Sequence, residues 1–300
     1  MGSLPNSRIK GRSQILVQSQ NEYGGRDSMK KFVFFILGVL VLAIMISGCT
    51  SNTSAPKGAT PEKVLKVGVT AGPHAEIMEV VKKVADKEGL KIEIVEFNDY
   101  IQPNVALNQG DIDVNSYQHQ PWLDNQIKDR KYELSTLAKT LIFPMGMYSN
   151  KVKHLEDIKE GAIVAIPNDP TNGSRALAIL EKNGLIKLKE NVGLKATAAD
   201  IIANPKKLKI SELDAAQIPR SINDVDIAAI NTNYAIVAGL VPTKDAIALE
   251  DSNSPYANLL VVRTEDKDDP IFQKLVKAYH SEEVKQFALE HFKGSAIPAW

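Results

Sequence analysis

The chain has 300 residues, with 36 basic and 36 acidic side chains and a single cysteine. Balanced charge gives no electrostatic footprint for nucleic acid, and a lone thiol excludes an internal disulfide framework. The length allows one large domain or two smaller ones.

Residues 1–28 are polar, lack periodicity and fit no export signal, so they read as a non-native extension, with Met29 as the true start. Met29-Lys30-Lys31 then leads into an apolar run from Phe32 to Ile46, closed by Ser47-Gly48-Cys49. A basic start, a short apolar block and small residues before a cut are the parts of an export signal. The run of 15 residues falls short of the roughly 20 that span a bilayer as a helix. An uncleaved anchor and an incidental thiol are the competing readings. The segment resembles the lipobox of prokaryotic lipoproteins, which implies removal of residues 29–48 and a lipid on Cys49, anchoring the chain at the extracytoplasmic face of the cell membrane. Removing six basic and two acidic residues with everything before Cys49 leaves 30 and 34, a net charge of −4. Residues 49–63, rich in Ser, Thr, Pro, Ala and Gly, read as a flexible tether.

Alternation at Leu65, Val67 and Val69, broken at Gly72-Pro73, predicts a strand over Val64 to Thr70. A helical stripe of Ile77, Met78, Val81, Val84 and Ala85 predicts a helix from His74 to Leu90. Ile92 to Phe97 reads as a strand, Ile101 to Gln109 as a helix, Ile112 to Tyr117 as a strand and Pro121 to Asp129 as a helix. A long extended stretch from Glu133 to Ser149 follows. The rhythm restarts with a strand at Ile163 to Ile166 and a helix from Ser174 to Asn183. Short strands follow at Thr197 to Ile202 and Lys209 to Leu213. Val225 to Ile230 reads as a buried strand, Tyr234 to Ala238 as a helix, Leu259 to Arg263 as a strand and Ile271 to Phe292 as a helical tail. Strand–helix alternation of this kind predicts an α/β fold with a mainly parallel sheet in two units, with a cleft between them.

The densest polar cluster, Pro167 to Arg175, lies between a strand and a helix. Gly173 permits close backbone approach, and a helix start offers free N–H groups that favour an anion. Within the cluster, Asn172 and Arg175 are the candidate ligand contacts, Arg175 through a planar pair with a carboxylate; a capped turn with a solvated Arg175 is the bland alternative. Asn231 and Asn233 follow the buried strand, at the end that faces the ligand crevice of an open α/β sheet. Their amides suit both an ammonium and a carboxylate, against a competing role as helix caps. Tyr100, Tyr117 and His119 follow strands of the first unit and supply an aromatic wall, whereas Trp122, opening a helix, reads as packing.

The strings VGVTAGPHAEIMEVVK, NDYIQPN, LNQGDIDVNSYQHQPWL, IPNDPTNGSRAL, AAQIPRSINDVDIAAINTNYAIVAGL and SPYANLLVVR resemble the NlpA/MetQ family of methionine-binding lipoproteins, in one order over Val64 to Trp300. The resemblance implies a type II periplasmic-binding-protein fold: two α/β lobes joined by two crossover strands, with residues 64–143 and 260–300 in lobe I and 144–259 in lobe II. It implies a monomer that captures methionine or a close analogue without a cofactor and delivers it to the permease and ATPase of an ABC importer. Carried over by motif, Arg175 grips the carboxylate, Asn231 and Asn233 contact the amino and carboxylate groups, and Tyr100, Tyr117 and His119 line the thioether pocket. Tyr117, Trp122 and Ser174 depart from the commoner family pattern.

A Met-containing dipeptide or another apolar amino acid is the alternative guest. A surface adhesin and a tethered hydrolase are the alternatives from other classes. The hydrolase needs a nucleophile beside a base, and the chain has no G-x-S-x-G, H-E-x-x-H or Walker A string. Its histidines, at 74, 119, 154, 280 and 291, have no metal-site spacing, and His74 reads as capping or packing.

Overall fold

A computed structural model describes residues 64–300. The signal-like segment, Cys49 and the tether lie outside the described residues.

Leu65–Thr70 forms β1, whose Leu65, Val67 and Val69 are fully buried. Gly72, at φ +82°, turns the chain, and Pro73 with its preset φ opens α1 (Pro73–Lys87). Ile77, Met78, Val81 and Ala85 bury the inner face of α1, each large side chain contributing roughly 1.5–3 kcal/mol. Then follow β2 (Ile92–Phe97), α2 (Gln102–Gln109), β3 (Val114–Ser116), α3 (Gln120–Arg130), β4 (Leu134–Lys139), β5 (Leu141–Ile142) and β6 (Gly146–Tyr148). The second half contains β7 (Ile163–Pro167), α4 (Pro170–Lys182), β8 (Lys187–Leu188), β9 (Ile201–Ala203), β10 (Lys209–Leu213) and β11 (Ile227–Ile230). It continues through α5 (Thr232–Val237), α6 (Pro242–Asp245), β12 (Ala248–Leu249), β13 (Leu259–Arg263), α7 (Pro270–Tyr279), α8 (Glu282–His291) and β14 (Ile297–Pro298).

Two five-stranded sheets result, ordered β2-β1-β3-β13-β4 and β10-β7-β11-β6-β12. This is the two-lobed type II periplasmic-binding-protein fold. In each sheet four strands run in one direction and one is reversed: β13 runs antiparallel to its neighbours β3 and β4, and β6 antiparallel to β11 and β12. Each sheet is therefore mainly parallel in strand direction, as expected, with one reversed strand. β6 and β13 enter by crossing from the other lobe, so no crossover helix fixes their direction.

The chain leaves the first sheet through residues 140–145 and returns through residues 250–258. These two segments are tied together. Thr140 N–H donates to Asn258 O at 2.7 Å, Asn258 N–H to Leu141 O at 2.8 Å, and Glu250 N–H to Met145 O at 2.9 Å. β14 pairs with β5, adding the C-terminal segment to the same junction.

Three local readings change. α4 starts at Pro170 rather than Ser174, because Asp169 caps the first turn and Pro170 occupies its first position. The tail is two helices, divided where the Ser281 hydroxyl accepts from Val284 N–H and starts α8. Residues 198–200 form a short 3-10 turn held by a Thr197–Asp200 capping box, so the strand there begins only at Ile201.

Candidate functional site

Residues that follow the carboxyl ends of β1, β2 and β3 meet residues that follow β7 and β11 around one cavity. All seven candidate contacts, Tyr100, Tyr117, His119, Asn172, Arg175, Asn231 and Asn233, line it. The first three come from one lobe and the other four from the second, and α4 holds Asn172 and Arg175 three residues apart on one face.

Arg175 is 4% exposed. Its Nε donates to both carboxylate oxygens of Glu250, at 2.9 and 3.0 Å, and its Nη2 donates to Glu250 and to the Phe143 carbonyl oxygen. Tyr256 lies under the guanidinium, 4.5 Å from Cζ to the ring centre. Nη1 makes no hydrogen bond among the described residues, and Arg175 lines the cavity. Arg175 is therefore not solvated. A helix of the second lobe is fastened to both crossover segments, with one edge of the cation left over.

A chain of hydrogen bonds fixes which way the cavity amides point. The Asp169 carboxylate accepts only, and it takes both Thr171 and Asn172 N–H and the Asn172 side-chain NH2. Asn172 Oδ1 must then face the other way, where it accepts from His119 Nε2 at 3.2 Å and from Asn231 Nδ2 at 2.9 Å. That turns Asn231 Oδ1 into the cavity as an acceptor. In parallel, Tyr100 OH donates to Asn233 Oδ1 at 2.6 Å, so Asn233 Nδ2 remains a donor. Asn231 Oδ1 and Asn233 Nδ2 are both buried without a hydrogen-bond partner among the described residues. Each such atom costs about 1–3 kcal/mol when left unpaired. Asn231 occupies the N-cap position of α5 but makes no side-chain cap bond, so the capping alternative does not describe it.

One feature of the Pro167–Arg175 cluster departs from the sequence reading. Asp169 already occupies the start of α4, so the first-turn N–H groups are not a free anion site. Gly173 keeps its role: a Cβ there would sit 2.8 Å from the Pro167 carbonyl oxygen, so only glycine lets α4 lie this close to β7.

The rings form the opposite wall. Tyr117 OH donates to the Tyr100 carbonyl oxygen at 2.8 Å and accepts from Trp122 Nε1 at 3.2 Å. Burial pushes both phenols well above the usual range, so they act as neutral donors. Trp122 lines the cavity rather than serving only as packing, and so does His74. Sequence reasoning also missed Phe143 and Asn258 in the lining, together with Glu250 and Tyr256 behind Arg175. None of these four stands beside the motif it serves.

Burial lowers both His74 and His119 to about 3, with Arg175 adding to the effect at His119. The folded chain therefore rejects protons that the unfolded chain accepts below its own histidine value of about 6.5. Stability is highest above pH 6.5 and falls between there and pH 3, by about 1.4 kcal/mol per pH unit for each histidine. Urea unfolding between pH 6.5 and 5 measures that slope, and His119→Asn should reduce it by about one histidine's share. A flat native profile, or an unchanged slope in the variant, contradicts the neutral assignment.

A family model described as NlpA lipoprotein matches residues 65–300. The D-methionine-binding lipoprotein MetQ of Salmonella typhimurium is 48% identical over 270 residues, covering 89% of this chain and 97% of that protein. Among solved structures, a nutrient binding protein from Burkholderia cenocepacia bound to methionine is similar at 57% identity and a TM-score of 0.77, covering 79% of this chain and all of that one. An ABC transporter periplasmic substrate-binding protein from Coxiella burnetii is similar at 51% identity and a TM-score of 0.76, covering 78% of this chain and all of that one. With the family model spanning both lobes, the chain belongs to the NlpA lipoprotein family.

Proposed function

We propose that this chain is an extracytoplasmic substrate-binding lipoprotein that captures methionine or a close analogue between its lobes and delivers it to an ABC importer. The observation that carries the reading is the set of cavity atoms left to bond: a buried acceptor on Asn231, a buried donor on Asn233 and the free edge of Arg175. An amino-acid head group answers all three. Its ammonium fits Asn231 Oδ1, and its carboxylate fits Arg175 Nη1 and Asn233 Nδ2. The side chain then lies among Tyr100, Tyr117 and Trp122, where a polarizable thioether gains from ring contact. The relatives named or solved with methionine support this guest, and the Coxiella burnetii relative supports the importer.

The family is one of binding lipoproteins, and the geometry agrees with capture rather than catalysis. His74 Nδ1 lies 2.7 Å from Thr70 Oγ1, a hydroxyl–imidazole pair of the kind a hydrolase needs. Asn258 Nδ2, however, donates to His74 Nε2 at 2.8 Å, which places the ring proton on Nδ1, facing the hydroxyl. So disposed, the ring cannot take the Thr70 proton, and Thr70 is itself buried and outside the cavity lining.

Replacing Asn231 with Ala should weaken methionine binding roughly 10- to 100-fold, the loss of one hydrogen bond to a charged group. The thermal midpoint of the free protein should move little: the variant loses the bond to Asn172 Oδ1, which keeps His119 as a donor, and removes a buried oxygen that has no partner. Calorimetry showing native affinity in the variant would defeat the assignment. No helix among the described residues is long and apolar enough to cross a membrane, and the anchor in this reading is a lipid on Cys49. Membrane-extracted protein should have the mass of a chain beginning at Cys49 plus acyl groups; an unmodified Cys49 rules the anchor out.

A further inference from the structure

Glu250 lies outside the cavity lining, on the return crossover, yet its carboxylate is bonded along the Nε–Nη2 edge of the guanidinium, leaving Nη1 without a protein partner. Arg175 is buried and Glu250 largely so, with side-chain exposures of 4% and 11%. Arg175 is the one residue with a permanent charge among the described residues that line the cavity. The two lining histidines are neutral through burial. The nearby Asp169 carboxylate is directed at the start of α4, with its oxygens taken up by that first turn.

We infer that Glu250 sets the charge of the ligand this site accepts: by neutralising Arg175 from behind, it makes the cavity select a zwitterion over a simple carboxylate. The inference rests on the proposed amino-acid site and adds the residue that decides its charge preference. An uncompensated buried guanidinium would draw in any carboxylate, because a bare anion would cancel its charge. With Glu250 in place the guanidinium still offers directional donors but no net charge. A bare anion then leaves the buried site negative, whereas a zwitterion leaves it neutral. Glu250 is a positioning residue in addition, since its oxygen also accepts from Met145 N–H at 3.1 Å and so holds the two crossover segments together.

The test compares two ligands of one shape by calorimetry: methionine, and its des-amino analogue ending in a carboxylate alone. The native chain should prefer methionine strongly. In Glu250→Gln the preference should shift toward the des-amino anion by about tenfold or more, as expected for removing a charge a few ångströms from the carboxylate in a buried site. Glu250→Asp, which keeps the charge, should retain the native ratio even if both affinities drop. A Glu250→Gln protein that binds both ligands more weakly by the same factor would reduce Glu250 to a structural brace and overturn the inference. If that variant fails to fold, the native chain still decides: des-amino binding within tenfold of methionine overturns the charge selection. Native protein that binds neither ligand overturns the functional reading and this inference with it.

Discussion

A buried cation organises this molecule. The Arg175 guanidinium is out of water, and at that depth an unpaired charge costs several kcal/mol. The Glu250 carboxylate, the Phe143 carbonyl and the Tyr256 ring meet that demand together. Because Phe143 and Glu250 lie on different crossover segments, satisfying one side chain also ties a second-lobe helix to the junction where the lobes join. The Nη1 edge has no protein partner, and Arg175 lines the cavity. The cation therefore serves as strut and as ligand donor at once, and neither role is separable from the other by truncating Arg175 alone.

The polarity of the remaining cavity atoms follows from an equally local rule. A carboxylate has no proton to give, so Asp169 dictates the orientation of the Asn172 amide, and Asn172 in turn dictates that of Asn231. The result is an unpaired acceptor and an unpaired donor on one lobe, in the same cavity lining as rings from the other. Interlobe bonds from Tyr100 to Asn233 and from His119 to Asn172 link the two sides. The fold places these groups by putting strand ends at the crevice, and the hydrogen bonds then decide what each group offers.

Much of this was legible in the sequence, and the gaps have physical causes. Strands such as Ile92–Phe97 and Leu259–Arg263 could be read to the residue, because their apolar runs end at clear punctuation. Strand-end logic located Asn231, Asn233, Tyr100, Tyr117 and His119 at the cavity. The start of α4 was misread even though its signal was present: Asp169-Pro170 is a cap followed by a first-turn proline. Glu250 was invisible for a different reason. It pairs with a residue 75 positions away, and no periodicity or local motif reports a contact made by crossing between lobes. Trp122 reads as packing in the sequence because ring type alone does not tell a core wall from a cavity wall. The amide orientations were beyond reach too, since they depend on a bond network spanning residues 169, 172 and 231.

The central claim is that one zwitterion satisfies the cavity atoms that the protein leaves unpaired. A crystal structure of the chain grown with methionine tests it most directly. The ammonium should lie within hydrogen-bond reach of Asn231 Oδ1, the carboxylate against Arg175 Nη1 and Asn233 Nδ2, and the thioether among Tyr100, Tyr117 and Trp122. A ligand whose head group faces the rings, or that binds outside this cavity, would contradict it.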